Sequence, residues 1–188
     1  MQMNEIRFLS KNEFKIAEVG QIMEGSSITV IPINRKISEI QSNDVEELLH
    51  DKCMKAFKMI GKPLFVEHTG LEISALNGFP SGLTQLFWDM VMADKLAAMI
   101  GSQKDNKVIA KTHIGYCDGK KIHFFSGKVS GIIPKEPRGN RDFQWDCVFQ
   151  PCGFEQTFAE MNSTQKNAIS MRKLALEKLK LHLEGEHA

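Results

Sequence analysis

Residues 64–78, LFVEHTGLEISALNG, constrain this chain more than any other stretch. Leu64, Phe65 and Val66 suit a buried strand, and the run turns apolar again after Gly70. Between them stand Glu67, His68 and Thr69. A carboxylate beside an imidazole is costly inside a core unless metal, water or substrate satisfies it. Strand ends that reach solvent and the rims of active sites share this composition, so the stretch alone admits both readings.

The rest of the chain narrows the choice. With 188 residues, 42% of them hydrophobic, it is long enough to bury a core as one α/β or α+β domain. No repeat, low-complexity tract or linker marks a second domain, so 1–188 is expected to be one unit. The formal charge of +1, from 24 Lys and Arg against 23 Asp and Glu, offers no sequence-wide attraction for a polyanion. No nucleic acid partner is expected, whereas a small anion held by local cations is compatible with it. Cys53, Cys117, Cys147 and Cys152 form no CxxC pair and no zinc-ligand spacing, which fits reduced thiols and a cytoplasmic location. The absence of any long apolar run predicts neither secretion nor membrane insertion.

In order, 5–9 reads as a strand, and Ser10 with Glu13 as a capping box opening a helix to about Met23. Its free amides beside Lys11 and Lys15 suit either a phosphate cradle or a plain strand-to-helix junction. A β-branched strand at 28–33 carries Pro32, an edge signal. In the polar segment 34–44, Glu39 suits structure or metal binding equally. Val45, Leu48, Leu49, Cys53, Ala56, Phe57 and Ile60 trace one helical stripe, capped by Asn43 and Glu46 and ended by Gly61. A further helix over 83–100, closed by Gly101, is apolar around most of its circumference, which implies a central helix or a homodimer surface. Strands at 107–116 and 121–129 flank Asp118-Gly119, the dipeptide of a type I′ hairpin.

Residues 131–142 read as loop. Phe143, Gln144, Trp145 and Asp146 then precede a strand at 148–150. Aromatics beside an Asp serve nucleobase binding or core packing. In the last segment Lys166 and Ser170 share a helical face, whereas Arg172 lies about 200° around from Ser170. These converge only if the chain breaks and Ser170 caps a final helix carrying Ala175, Leu176, Leu179 and Leu183. A continuous amphipathic helix is the alternative.

With these pieces placed, the chain resembles the inosine triphosphate pyrophosphatase family. SKNEFK is similar to its T-x-N-x-x-K phosphate turn and VEHTGLEISALNGFPSG to its acidic strand and turn. FQWDCVFQPCGFEQTFAEM is similar to its base-binding segment, and QKNAISMRKLAL to its closing K-N-x-x-S-H-R motif. The resemblance implies an α/β fold with an elongated mixed β-sheet, flanking helices and two lobes around a central cleft. It also implies a homodimer and Mg²⁺-dependent cleavage of non-standard purine nucleoside triphosphates to monophosphate and pyrophosphate, with Mn²⁺ as the alternative ion. By position, Ser10, Asn12, Lys15 and Thr69 would hold substrate, with Glu39 and Glu67 at the metal. Phe143 would stack on the base, with Trp145 and Asp146 shaping its pocket and Lys166, Ser170 and Arg172 meeting the nucleotide from the far side. His68 stands where the family has an Asp credited with metal binding and water activation, so Glu67 and His68 become the catalytic candidates. Met171 replaces the motif's His, and Gln144 and Cys147 replace Gly and Pro. These departures keep two alternatives in view: a catalytically silent nucleotide-binding homologue, and a pyrophosphatase for another modified nucleotide.

Overall fold

The computed structural model describes residues 4–185. Six strands form one sheet in the order β2-β1-β3-β4-β5-β6. These are β1 (Asn4–Leu9), β2 (Ile28–Ile33), β3 (Leu64–Ile73), β4 (Lys107–Cys117), β5 (Ile122–Ile132) and β6 (Gln150–Pro151). The helices are α1 (Glu13–Met23), α2 (Val45–Ile60), α3 (Thr84–Leu96), α4 (Ser163–Ile169) and α5 (Met171–Gly185). Parallel pairing of β1 with β2 and β3, and antiparallel pairing from β3 onward, make the sheet mixed. This is the expected α/β class. Pro32 does lie on an edge strand. Among the described residues no helix is long and apolar enough to cross a membrane.

Connectivity fixes where a crevice opens. From β1 the chain passes through α1 to β2 on one side, then returns through α2 to β3 on the other side of β1. The carboxyl ends of β1 and β3 therefore meet at a switch in strand order, the place where open α/β sheets leave a crevice. The two sheet faces are covered differently. Phe8 and Phe65 pack with α1 and α5 through Val19, Ala175 and Leu176. Leu64 and Val66 pack under α2 through Leu49, Cys53 and Ala56. Farther along β3, Leu71 and Ile73 join a separate core with Leu96, Val108, Phe149 and Phe158. Thus β3 contributes to three cores, and Glu67 to Gly70 cross the gap between the two at its start and the one at its end. β1 pairs with β3 only at Leu64 and Phe65, so past that point one edge of β3 is open.

Several local details depart from the sequence reading. The cap of α1 is Asn12, whose Oδ1 accepts from the Lys15 amide at 3.1 Å; Ser10 Oγ accepts from the Asn12 amide instead. The cap of α2 is Asp44, whose carboxylate accepts from the Glu46 and Glu47 amides, rather than Asn43 or Glu46. Gly61 closes α2 in the left-handed conformation, as expected. The β4–β5 hairpin is present, but Cys117 pairs with Ile122, so the loop has four residues and is not type I′. Gly119 alone in that loop takes positive φ (100°), and Asp118 Oδ1 gathers the amides of Lys120 and Lys121. The helix expected over 83–100 starts at Thr84, is interrupted by non-helical Met92, and ends in a π turn, Ala97–Gly101. That interruption lets Ala93 and Leu96 face the core while Leu86, Met90 and Met92 remain exposed. Strand β5 runs on to Ile132, and the strand expected at 148–150 is shifted to Gln150–Pro151 because a 3₁₀ turn, Gln144–Val148, precedes it.

Candidate functional site

Strand alternation determines which groups meet. Side chains two apart share a face, so Glu67 follows Phe65 toward α1 and α5, and His68 follows Val66 toward α2. The break in the C-terminal segment supplies the first set of partners. Ser170 is extended (φ −69°, ψ 150°) between α4 and α5, and its Oγ accepts from the Lys173 amide at 3.2 Å. Gly127 lets the start of α5 lie against β5, since a Cβ there would sit 2.1 Å from the Met171 carbonyl oxygen. Arg172 is thereby delivered, fully buried, to Glu67. Its Nε and Nη2 donate to Oε2 and Oε1 of Glu67, each at 2.9 Å, a bidentate pairing.

Lys15 Nζ lies 3.0 Å from Glu67 Oε1. Glu18, one turn beyond Lys15, takes Arg172 Nη1 and accepts from Lys166 Nζ at 2.6 Å. Lys166 also donates to Asp146 Oδ2. A chain of alternating charge therefore runs Lys15–Glu67–Arg172–Glu18–Lys166–Asp146. Thr69 Oγ1 joins it by donating to Glu67 Oε1 and accepting from Arg172 Nη2, each at 3.4 Å, and is itself held by Thr112 Oγ1 at 3.0 Å. Burial alone would raise Glu67, but Arg172 and Lys15 outweigh it and hold the carboxyl well below its ordinary range. Burial lowers Lys15, which Glu67 opposes. At the other end burial prevails over Lys166 and pushes Asp146 up to about 6.

On the α2 face, Lys52 Nζ donates to Glu39 Oε1 at 2.6 Å and to the Glu67 carbonyl oxygen at 3.0 Å. Glu39 Oε2 lies 3.9 Å from His68 Nδ1. His68 Nε2 is buried with no hydrogen-bond partner among the described residues. Burial lowers the His68 pKa, opposed by Glu39 and reinforced by Lys15 and Lys52, so the ring is neutral near pH 7. Glu39, despite the opposing effect of burial, is held at about 2 by His68 and Lys52. Both Glu39 and Glu67 thus have folded-state values below the ordinary 4.5. Their stabilisation is present above about pH 4.5 and is lost as the pH falls through the folded values. Melting temperature should fall steeply below that pH, and less steeply in Glu39→Gln; parallel melting profiles for the two proteins would contradict this assignment.

Lys15 and Glu67 from the first set and Glu39, Lys52 and His68 from the second line a cavity of about 750 Å³ at the open edge of β3, with Ser10 and Asn12 also on its wall. Lys11, Arg35 and Lys36 add further cations there. The base-side candidates lie next to it, around a niche of only about 10 Å³ formed by Phe143, Trp145, Asp146, Met171 and Arg172. Phe143 presents no free stacking face. Phe14 stacks on it with ring centroids 5.2 Å apart, and Lys166 Nζ stands 4.3 Å from its centroid. Trp145 is buried and packs edge-on against Phe149, and its Nε1 has no hydrogen-bond partner among the described residues. Ser170 is also buried, with its hydroxyl engaged in the α5 cap.

Lys52 and Glu18 were not among the expected site residues. Each had a signal: Lys52 sits four residues from both Leu48 and Ala56 on the apolar stripe of α2, and Glu18 shares a face with Lys15 and Ile22.

The sequence and the overall fold have known relatives. The Ham1 family model matches residues 6–182, nearly the whole described chain. The chain belongs to the Ham1 family. This Ham1-family chain is 36% identical over 179 residues to the inosine triphosphate pyrophosphatase of Yarrowia lipolytica, covering 94% of each protein. It is 32% identical to the dITP/XTP pyrophosphatase of Thermococcus kodakarensis, covering 91% of this chain and 92% of that one. Among solved structures, a Ham1 protein from Coxiella burnetii superposes with a TM-score of 0.80 at 28% identity, over 97% of this chain and all of that one. The Staphylococcus aureus Ham1 protein gives 0.79 with the same identity and coverage.

Proposed function

We propose that this Ham1-family protein hydrolyses non-standard purine nucleoside triphosphates, of the ITP, dITP and XTP type, to the monophosphate and pyrophosphate. The observation that carries the reading is the cation-lined cavity at the open edge of β3, contiguous with an aromatic and acidic niche. A nucleoside triphosphate needs such a pair of sites, one for its charge and one for its base. The names of the relatives point to the same substrates.

In this reading the first turn of α1, with Ser10, Asn12, Lys15 and Lys52, holds the phosphates by amide donors and ammonium charge. The base enters the niche by displacing the Phe14–Phe143 stack and stacks on Phe143, between Trp145, Asp146 and the Lys166–Arg172 side. Thr69 and Ser170 support the floor of that site through their hydrogen bonds. His68, with Nδ1 toward Glu39 and Nε2 unbonded, is placed to accept a proton from a water attacking the α-phosphorus. Lys15 and Lys52 stabilise the pyrophosphate charge as it leaves.

The donor set limits how a metal is held. Both oxygens of Glu67 are engaged by Arg172 and Lys15, and the described residues contain no group of three or more His, Cys, Asp or Glu able to hold an ion. Glu39 would hold Mg²⁺, or Mn²⁺ as the alternative, with Glu67 beside it, since Mg²⁺ commonly takes one or two carboxylates and fills its shell with phosphates and water. When bound, such an ion supplies charge neutralisation at the phosphates. The same observation favours a second reading, a nucleotide-binding homologue without turnover. Pyrophosphate release from ITP, dITP and XTP separates the two.

As parts of the same proposal, residues 1–188 act as one unit. Exposed Leu86, Met90 and Met92 on and beside α3 suit a homodimer contact, and the absence of paired cysteines among those described suits a cytoplasmic protein.

A further inference from the structure

Gln144 stands at the boundary between the two parts of the site. It contributes to the wall of both the large cavity and the base niche. Its φ of 42° lies in the left-handed region, where an L side chain is strained and where the resembling motif carries Gly. Strain of this kind persists only when surrounding contacts hold it. The side chain at this position is tied into a short relay. Gln144 Nε2 donates to Gln85 Oε1, and Gln85 Nε2 donates to Asp89 Oδ1 at 2.7 Å.

The polarity of that relay follows from its end. A carboxylate only accepts, so Asp89 must face the NH₂ of Gln85. Gln85 then turns its oxygen to Gln144, which must spend its own NH₂ on it. What remains of the Gln144 side chain is Oε1, an acceptor with no donor from the described residues. Asp89 and Gln85 are exposed, with Gln85 also on the wall of the large cavity, whereas Gln144 is half-buried, so the relay is anchored at the rim of the site.

We propose that Gln144 is a specificity-determining residue whose Oε1, oriented by the Asp89–Gln85 relay, accepts a hydrogen bond from a ring N–H of the bound purine. The inference rests on the nucleotide reading above and deepens it. Hypoxanthine, xanthine and guanine all carry an N1–H beside their 6-oxo group, whereas adenine presents a bare ring nitrogen there. An acceptor at this place therefore discriminates against adenine and leaves the choice among oxopurines to other groups. Two acceptors facing each other also leave both unpaired, which adds to the penalty for the wrong base.

The test is binding of IMP and AMP, followed by the fluorescence of Trp88 and Trp145, in wild type, Gln144→Leu and Asp89→Asn. Loss of the acceptor in Gln144→Leu should weaken IMP by roughly fivefold to tenfold and AMP by less than about twofold. Asn at 89 can donate as well as accept, so the relay can reverse; Asp89→Asn should lower the IMP-to-AMP preference by about twofold to threefold with residue 144 unchanged. Gln144→Gly, which accepts the left-handed backbone, reads the same loss if the Leu variant does not fold. An IMP-to-AMP ratio unchanged in both position-144 variants would overturn the proposal while leaving the nucleotide reading intact. Wild-type protein that binds neither nucleotide would overturn that reading, and this inference with it.

Discussion

Arg172→Met is expected to destabilise the protein by about 3–5 kcal/mol, with a melting temperature lower by roughly 10 °C or more. Methionine roughly replaces the aliphatic volume, so the loss is electrostatic. Arg172 has no exposed surface and makes three contacts to carboxylates: two to Glu67 and one to Glu18. Its removal leaves the buried Glu67 and the partly buried Glu18 close together, with only Lys15 and Lys166 to balance them. Adding Glu67→Gln to Arg172→Met should recover part of the loss, because groups in one network do not add independently. Denaturant melts of the two single variants and the double variant measure this. A single variant as stable as wild type would contradict the charge chain described above.

His68→Asp is expected to raise Mg²⁺-supported turnover, on the order of tenfold or more. Imidazole suits softer ions than Mg²⁺, and Mg²⁺ strongly prefers oxygen. Alternation along β3 keeps residue 68 on the α2 face beside Glu39 and Lys52, away from the Arg172 side. An aspartate there adds a hard donor next to Glu39, and the neighbouring lysines favour its ionised form. Steady-state rates with Mg²⁺ and Mn²⁺ check this. A rate in Mg²⁺ that is unchanged or lower would show that the missing carboxylate is not what limits the protein.

Much of the architecture was legible in the sequence because it rests on periodicity. The stripe of α2 and the edge position of Pro32 are properties of residue type and spacing, whereas spacing left a continuous helix and a break at Ser170 both open, and the fold takes the break. Helix caps were misplaced by one or two residues because Ser10, Asn12, Asn43 and Asp44 are all competent acceptors, and only the path of the chain selects among them. The separation of Glu67 from His68 was implicit in the two-residue repeat of β3. Which helix covers which face depends on the β1–β3 switch in strand order, so the partners of each group became visible only in the fold. Likewise nothing local to Phe143 announces that Phe14 and Lys166 occupy its ring, since both come from distant helices. Lys52 was hidden for the opposite reason, as a charge within a stripe read as apolar.

In the proposed reading the cation-lined cavity and its niche form a nucleotide pyrophosphatase site. Its most direct test is turnover of ITP, dITP, XTP, ATP and GTP with Mg²⁺ in ¹⁸O-labelled water, with products identified by mass spectrometry. Pyrophosphate release is expected from ITP, dITP and XTP in preference to ATP and GTP, with the label in the nucleoside monophosphate, where water attacks the α-phosphorus. Measurable nucleotide binding with no pyrophosphate released from any of the five would contradict it.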